Sequence, residues 1–200
     1  MYLGLHGYAG IYKFGLSTNV LTELGSPDRD AEAILSLCEY GGQLYCTVET
    51  SANGVNFAVL SNDSFVPITG ASGYGGFMGV FAGALYFTTF PSTVDEIRLW
   101  RYDGGFALVA TLSDAAWIPF ISGDTFYLLG HCGSLIANGG GCVYSSTDGR
   151  NFTKDAAFDL ADTEYSCGCD FSVDGCTYFG TSWWTVGNSG GATGGKIYKY

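Results

Sequence analysis

A short apolar segment centred on tyrosine recurs along the whole chain: Met1-Tyr2-Leu3, Gln43-Leu44-Tyr45, Ala84-Leu85-Tyr86, Thr125-Phe126-Tyr127 and Cys176-Thr177-Tyr178. The tyrosines are separated by 43, 41, 41 and 51 residues. A period of that length belongs either to propeller blades or to stacked helical pairs. Helical pairs need stretches of about ten or more residues at helical spacing. The segments here are shorter, rich in Tyr, Phe, Val and Thr, and bounded by Gly or Asp-Gly, which is the pattern of β-hairpins.

Each repeat lays out as four strands. The first is nearly uncharged: Ala33–Tyr40, Gly76–Ala82, Ala116–Ser122 and Cys167–Val173. A tight turn (Gly41-Gly42, Ala82-Gly83, Gly123-Asp124, Asp174-Gly175) leads into the tyrosine strand. After a loop of variable length comes a third strand, at 11–14, 57–60, 97–102, 142–145 and 196–200. A polar turn and a short fourth strand close the unit, most visibly in Tyr102-Asp103-Gly104-Gly105-Phe106-Ala107-Leu108-Val109. Four-stranded antiparallel units repeated radially make an all-β propeller, here of about five blades. The uncharged first strands suit the axis, and their glycines let backbones approach closely. The chain is expected to be one domain, 1–200, in units of about 1–32, 33–74, 75–115, 116–166 and 167–200. The first unit lacks a first strand and the last lacks a fourth, so the terminal blades are expected to be incomplete or shared. Two closures are open to such a chain: residues 1–7 complete the last blade, or unpaired terminal strands join another copy in a homo-oligomer or larger assembly.

Composition then limits the partners. The 31 glycines would suit a low-complexity chain, but 47% of the residues are apolar, which excludes ordinary disorder. Nineteen acidic against eight scattered basic residues give a net charge of −11. Nucleic acid is therefore not an expected partner, since tracking phosphate needs clustered Lys and Arg. The longest uncharged stretch, 64–94, is interrupted by Pro67, Pro91 and several glycines, so no membrane insertion through a helix is expected. Met1-Tyr2-Leu3-Gly4-Leu5 shows no basic leader and no cleavage site. No signal peptide is visible, although an extracellular, virion or cell-surface location is the expected one.

Seven cysteines contain no CxxC pair, so zinc-ribbon and thioredoxin chemistry has no support. Cys132 and Cys142 flank one loop and can bridge, while Cys167, Cys169 and Cys176 share another hairpin. Buried thiols packed as small hydrophobes are the alternative.

The stretch Tyr144-Ser145-Ser146-Thr147-Asp148-Gly149-Arg150-Asn151-Phe152 resembles the Asp-box (BNR) repeat of sialidase-like propellers. It lies where that motif lies, between third and fourth strands. The resemblance implies a structural role for Ser146, Asp148, Gly149 and Phe152: the carboxylate accepts backbone N–H bonds, the glycine supplies positive φ, and the aromatic ring packs on the blade. A weaker copy is Ser51-Ala52-Asn53-Gly54-Val55-Asn56-Phe57. Sialidases also carry an arginine triad, which four scattered arginines do not supply. In size and blade number the chain is similar to small five-bladed lectins of the tachylectin type, which implies sugar binding between blades.

Loops joining second to third strands, and blade to blade, gather on one face of a propeller and are the natural place for function. The candidate ligand-binding residues are Tyr8, His131, Asp162, Tyr165, Trp183 and Trp184. The adjacent tryptophans offer an aromatic platform for a sugar ring, with nearby Asp and Asn accepting hydroxyl bonds. His6 and His131 follow corresponding tyrosine segments, but two histidines without a third fixed ligand make no metal site. Asp28, Asp30 and Glu32, and Asp159, Asp162 and Glu164, lie in inter-blade segments and are read as solvating exposed loops, with weak calcium binding a minor alternative; no metal or other cofactor is expected. A glycosidase needs two carboxylates about 5–9.5 Å apart, and the first strands offer Glu39 and Asp170 alone. No Ser-His-Asp order, P-loop or dinucleotide fingerprint is present. The reading is a non-enzymatic module that recognises a glycan or protein receptor, with a structural component of a larger assembly second and a glycoside hydrolase third.

Overall fold

Four hairpin turns recur in one form. Tyr40 pairs with Gln43, Ser61 with Ser64, Phe81 with Ala84 and Ser122 with Thr125, leaving two residues in each loop. In three of them both loop residues have positive φ: Gly41 and Gly42, Asn62 and Asp63, Ala82 and Gly83. This is the type I′ turn, whose twist matches that of the strands it joins. Tight turns of this kind force consecutive strands to be neighbours, and a meander follows.

The structure is a computed structural model that describes residues 2–4, 10–25, 31–50, 56–91, 96–113, 115–131, 141–156, 164–171, 176–182 and 197–199. For residues 3, 31–32, 49–50, 115–117, 131, 164–171, 176–182 and 197–199 the backbone alone is described. The described strands form five antiparallel sheets, each in chain order. The first contains β1 (Tyr2–Gly4), β2 (Ile11–Gly15) and β3 (Val20–Gly25); the second β4 (Ala31–Tyr40), β5 (Gln43–Thr50), β6 (Phe57–Ser61) and β7 (Ser64–Pro67). The third is built from β8 (Tyr74–Phe81), β9 (Ala84–Phe90), β10 (Ile97–Tyr102) and β11 (Phe106–Leu112). The fourth has β12 (Ala115–Ser122), β13 (Thr125–His131), β14 (Gly141–Ser146) and β15 (Thr153–Lys154); the fifth has β16 (Glu164–Phe171), β17 (Cys176–Ser182) and β18 (Ile197–Lys199). The first and last sheets thus have three strands among the described residues, and β1 pairs with β2 in its own sheet, Tyr2 opposite Lys13.

The chain divides into two compact units, Met1–Ser92 with Trp100–Leu108, and Thr93–Leu99 with Val109–Tyr200. In the first unit, Ile11, Ile34, Cys46, Val48 and Ala58 pack the first sheet on the second. Tyr45, Phe57, Met78, Leu85 and Phe87 form a second cluster, flanked by Trp100, Tyr102 and Phe106. Polar side chains also stitch the second and third sheets. Thr47 Oγ1 donates to the Gly76 carbonyl, Ser36 Oγ accepts from Met78 N–H at 3.2 Å, and buried Asn56 donates to the carbonyls of Ala71 at 3.0 Å and Gly73 at 2.8 Å. The close approach shows most clearly at Gly75 on β8, where a Cβ would lie 2.6 Å from Val48 O and 2.7 Å from Asn56 O. In the second unit the core comprises Tyr127, Leu129 and Val143, with Ile118 and Phe120 against them. The recurring tyrosines Tyr45, Tyr86 and Tyr127 are all buried on second strands.

All four first strands begin earlier than the sequence reading had them, β8 at Tyr74 and β12 at Ala115. β4 starts at Ala31 and β16 at Glu164, because bulges at Ala31/Ala33, Ile34/Ser36 and Tyr165/Cys167 let pairing run on past irregular positions. The extension carries both strands into the acidic segments that precede them.

Candidate functional site

The second, third and fourth sheets each have a tight-turn end, where the first strand meets the second, and an open end, where the second strand enters a longer connection; in the fifth sheet the corresponding ends are marked by Phe171 opposite Cys176 and by Glu164 opposite Ser182. Strand register decides which residues stand at the open end. In the fifth sheet Glu164 is opposite Ser182 and Tyr165 opposite Thr181, so both stand where residues 183–196 leave β17. In the fourth sheet His131 is the last residue of β13, opposite Ala115 and Gly141. Within this unit β16 packs against β12, β13 and β14. Tyr165 and His131 are therefore strand-end residues of two sheets that touch. Tyr8, Asp162, Trp183 and Trp184 lie outside the described residues, as do His6 and Cys132. Cys142 is buried on β14.

The same register places acids at the open ends; the sequence reading takes Glu32 and Glu164 as solvating inter-blade loops, with weak calcium binding second, and does not weigh Glu49. Glu49 is opposite Ala33 at the open end of the second sheet, beside the Ala31/Ala33 bulge that holds Glu32. Glu164 stands at the corresponding end of the fifth. Glu39 and Asp170, the pair the sequence offered, are opposite Leu44 and Thr177, next to the tight-turn ends. The missed signal was positional: the acids sit just before first strands or at the end of a second one. Among residues whose side chains are described, no three His, Cys, Asp or Glu groups come together to hold a metal ion, and no described helix is long and apolar enough to cross a membrane.

The best-defined polar constellation is the β14–β15 turn. Ser146 Oγ donates to Asp148 Oδ1 at 2.9 Å and accepts from Gly149 N–H at 2.9 Å. Asp148 Oδ1 also accepts from the N–H groups of Arg150 and Asn151, each at 2.8 Å, and Oδ2 accepts from Asn151 Nδ2 at 2.7 Å. Gly149 has φ +67°. Phe152 meets Phe126 edge-on, with centroids 5.4 Å apart. The Asn151 and Arg150 N–H groups, the Asn151 amide and the Ser146 hydroxyl hold the Asp148 carboxyl well below the usual carboxylate range. Every oxygen is thus engaged within the turn, which makes it a structural clasp rather than a reactive acid.

A folded-state depression means the ionised form contributes stability above the unfolded value and loses it as pH falls. Asp148→Asn is therefore expected to lower the melting temperature at neutral pH. The gap to the parent protein should narrow as pH drops below about 4, the ordinary aspartate value. Thermal melts of both proteins across that range check this, and a gap independent of pH would contradict it.

Solved structures give the architecture its name. No family profile matches the sequence and no curated protein does. A GH43 β-1,3-galactosidase is similar with TM-score 0.54 at 11% identity, over 96% of this chain and 50% of that one. YCF48 from Cyanidioschyzon merolae gives TM-score 0.53 at 11% identity, over 89% and 62%. The xyloglucan-PUL protein GH43B of Bacteroides ovatus gives 0.53 at 10%, over 99% and 48%. The fold is a β-propeller. The propeller studied here spans less than two thirds of the length of each of those chains.

The propeller reading also corrects one expectation. The sequence argument against enzymatic activity does not stand, because this architecture is shared with glycoside hydrolases of the GH43 group. Its physical flaw is visible in the register. The search for paired acids was confined to Glu39 and Asp170, near the ends where first strand meets second, while Glu32 and Glu164 were assigned to loop solvation and Glu49 was not weighed.

Proposed function

We propose that this propeller recognises carbohydrate through the open ends of its sheets. The observation that carries the reading is the β16–β17 register, which brings Glu164 and Tyr165 to the strand end from which Trp183-Trp184 follows directly. A carboxylate and aromatic residues close to one strand end in sequence are the residue types that bind a sugar ring, with hydroxyls bonded at an acid and C–H faces stacked on rings. Two structural neighbours are named for galactosidase activity and for xyloglucan, which supports the same ligand class.

A glycan array tests this directly. Parent protein should bind a defined set of glycans, and Trp183→Ala or Trp184→Ala should weaken that binding by roughly tenfold or more, about 1.4 kcal/mol, with melting temperature kept. Reducing-end release from the bound glycans, compared between parent and Glu164→Gln, shows whether recognition leads to cleavage. An array without hits overturns the proposal.

A second reading, a component of a larger assembly, draws on the first sheet. Leu16 is 74% exposed, and Val20 and Leu21 are also exposed on β3 and its turn, an apolar group on an outer strand. Light scattering is expected to give a mass well above 21.2 kDa if that reading holds, and a clean monomer counts against it.

A further inference from the structure

The first strands of the second to fifth sheets share one irregularity. In β4 Ile34 is opposite Val48 and Ser36 opposite Thr47, so the ladder skips Leu35. In β12 it skips Trp117, between Ala116 and Ile118, and in β16 Ser166, between Tyr165 and Cys167. In β8 Gly75 is opposite Thr89 and Met78 opposite Phe87, so Gly76 and Phe77 together face Thr88. Each skip falls just beyond the recurring Tyr45, Tyr86, Tyr127 or Tyr178, towards the open end. A bulge that recurs at one place is a built feature, and bulges beside binding sites re-aim a side chain.

The bulge in β8 is held by hydroxyls. Phe77 N–H donates to Thr88 Oγ1 at 3.0 Å, and the same hydroxyl donates to the Phe77 carbonyl at 3.4 Å. The Gly76 carbonyl accepts from Thr47 Oγ1 of the second sheet, and Met78 N–H donates to Ser36 Oγ at 3.2 Å. Thr47 and Thr88 have no exposed surface. Backbone groups that the ladder drops are thus met by side chains, so the irregularity is fixed rather than frayed. Gly75, Gly76 and Met78 are buried, whereas Phe77 is half-buried. The backbone is held firmly while an aromatic ring stays partly in water, the opposite of what packing alone favours. Gly75 also brings β8 against the Val48 carbonyl of β5, and Glu49 is the next residue of that strand.

We propose that Phe77 is the stacking residue of a sugar subsite at the open end of the second and third sheets, its ring taking the C–H face of one sugar ring. Glu32 and Glu49 stand at the same end of the second sheet by register. Phe77 adds the flat apolar surface that acids cannot supply. The inference rests on the carbohydrate reading above and names one residue through which it works.

The test uses the full chain on a printed glycan array, with the strongest binder carried into calorimetric titration. Phe77→Leu keeps an apolar side chain without a flat face and should weaken binding by roughly tenfold or more. Its melting temperature should move by less than about 6 °C. Phe77→Tyr keeps the ring and should bind as the parent does. Val80→Ala, on the same strand beside its tight turn, should also bind as the parent does. Nuclear Overhauser contacts between sugar C–H protons and the Phe77 ring should appear in the parent complex. They need no substitution, so they decide the matter even if Phe77→Leu fails to fold. A parent that binds glycan without those contacts, or a Phe77→Leu variant that binds equally well, overturns this inference alone. A parent that binds no glycan overturns it together with the carbohydrate reading.

Discussion

Phe57→Ala is expected to destabilise the protein by about 3–5 kcal/mol, the range for emptying a buried phenylalanine site. Phe57 has no exposed surface. Its ring stacks on Phe87 with centroids 4.6 Å apart and on Tyr45 at 5.4 Å, and it meets Tyr102 at 5.4 Å and Phe106 edge-on at 5.5 Å. Four rings from two sheets lose their common neighbour at once, and rings are poorly able to close a void. Domains of this kind have about 5–15 kcal/mol in total, so the loss is a large share of the whole. Urea unfolding should show the midpoint falling with the slope unchanged. Phe57→Leu, which keeps much of the volume, is expected to cost roughly 1.5 kcal/mol or less. Equal losses for the two variants would show that the ring cluster is not the source of the stability.

Gly75→Ala is expected to be nearly as damaging, although it adds a single carbon. The new Cβ would lie 2.6 Å from Val48 O, 2.7 Å from Asn56 O and 2.8 Å from Val48 N. All three atoms are backbone, so no rotamer change relieves the clash. Two of them, Val48 N and Asn56 O, are the donor and acceptor of a 3.1 Å hydrogen bond. Relief therefore requires the second and third sheets to separate, or that bond to break. Overpacking costs about 1–3 kcal/mol, and the hydrogen bond adds about 1 kcal/mol. Gly105→Ala is the control, since a Cβ there meets nothing within 4 Å. Chemical denaturation of both variants separates the outcomes, and similar stabilities for the two would sink the argument.

The fold was legible because its determinants are local. Two-residue turns at Gly41-Gly42 and Ala82-Gly83 mark hairpins by themselves, and Ile97–Tyr102 has the same limits in sequence and structure. The inner strands were less legible, since the extra residues of β4 and β16 are added through bulges whose pairing depends on a partner strand. Candidate site residues were harder still. Nothing near Glu49 or Glu164 in sequence says that each stands at a sheet's open end; that follows from register, which is a relation between strands. The argument against enzymatic activity failed for a related reason, because first-strand composition was used as a proxy for where acids stand in the sheets.

The polar stitching of the second and third sheets bears on how the molecule opens. Thr47 and Ser36 tie side chains of the second sheet to main-chain atoms of β8, and Asn56, just before β6, ties itself to carbonyls of the connection that leads into β8. β4 and β5 cannot part from β8 without stranding buried carbonyls and amides on one side or the other. The two sheets should exchange their amide protons through one shared opening, as a cooperative unit larger than a single blade. A repeat protein is commonly pictured as a row of near-independent elements coupled at their borders. Here the coupling is hydrogen-bonded as well as apolar, and the smallest piece that can come loose is a pair of blades.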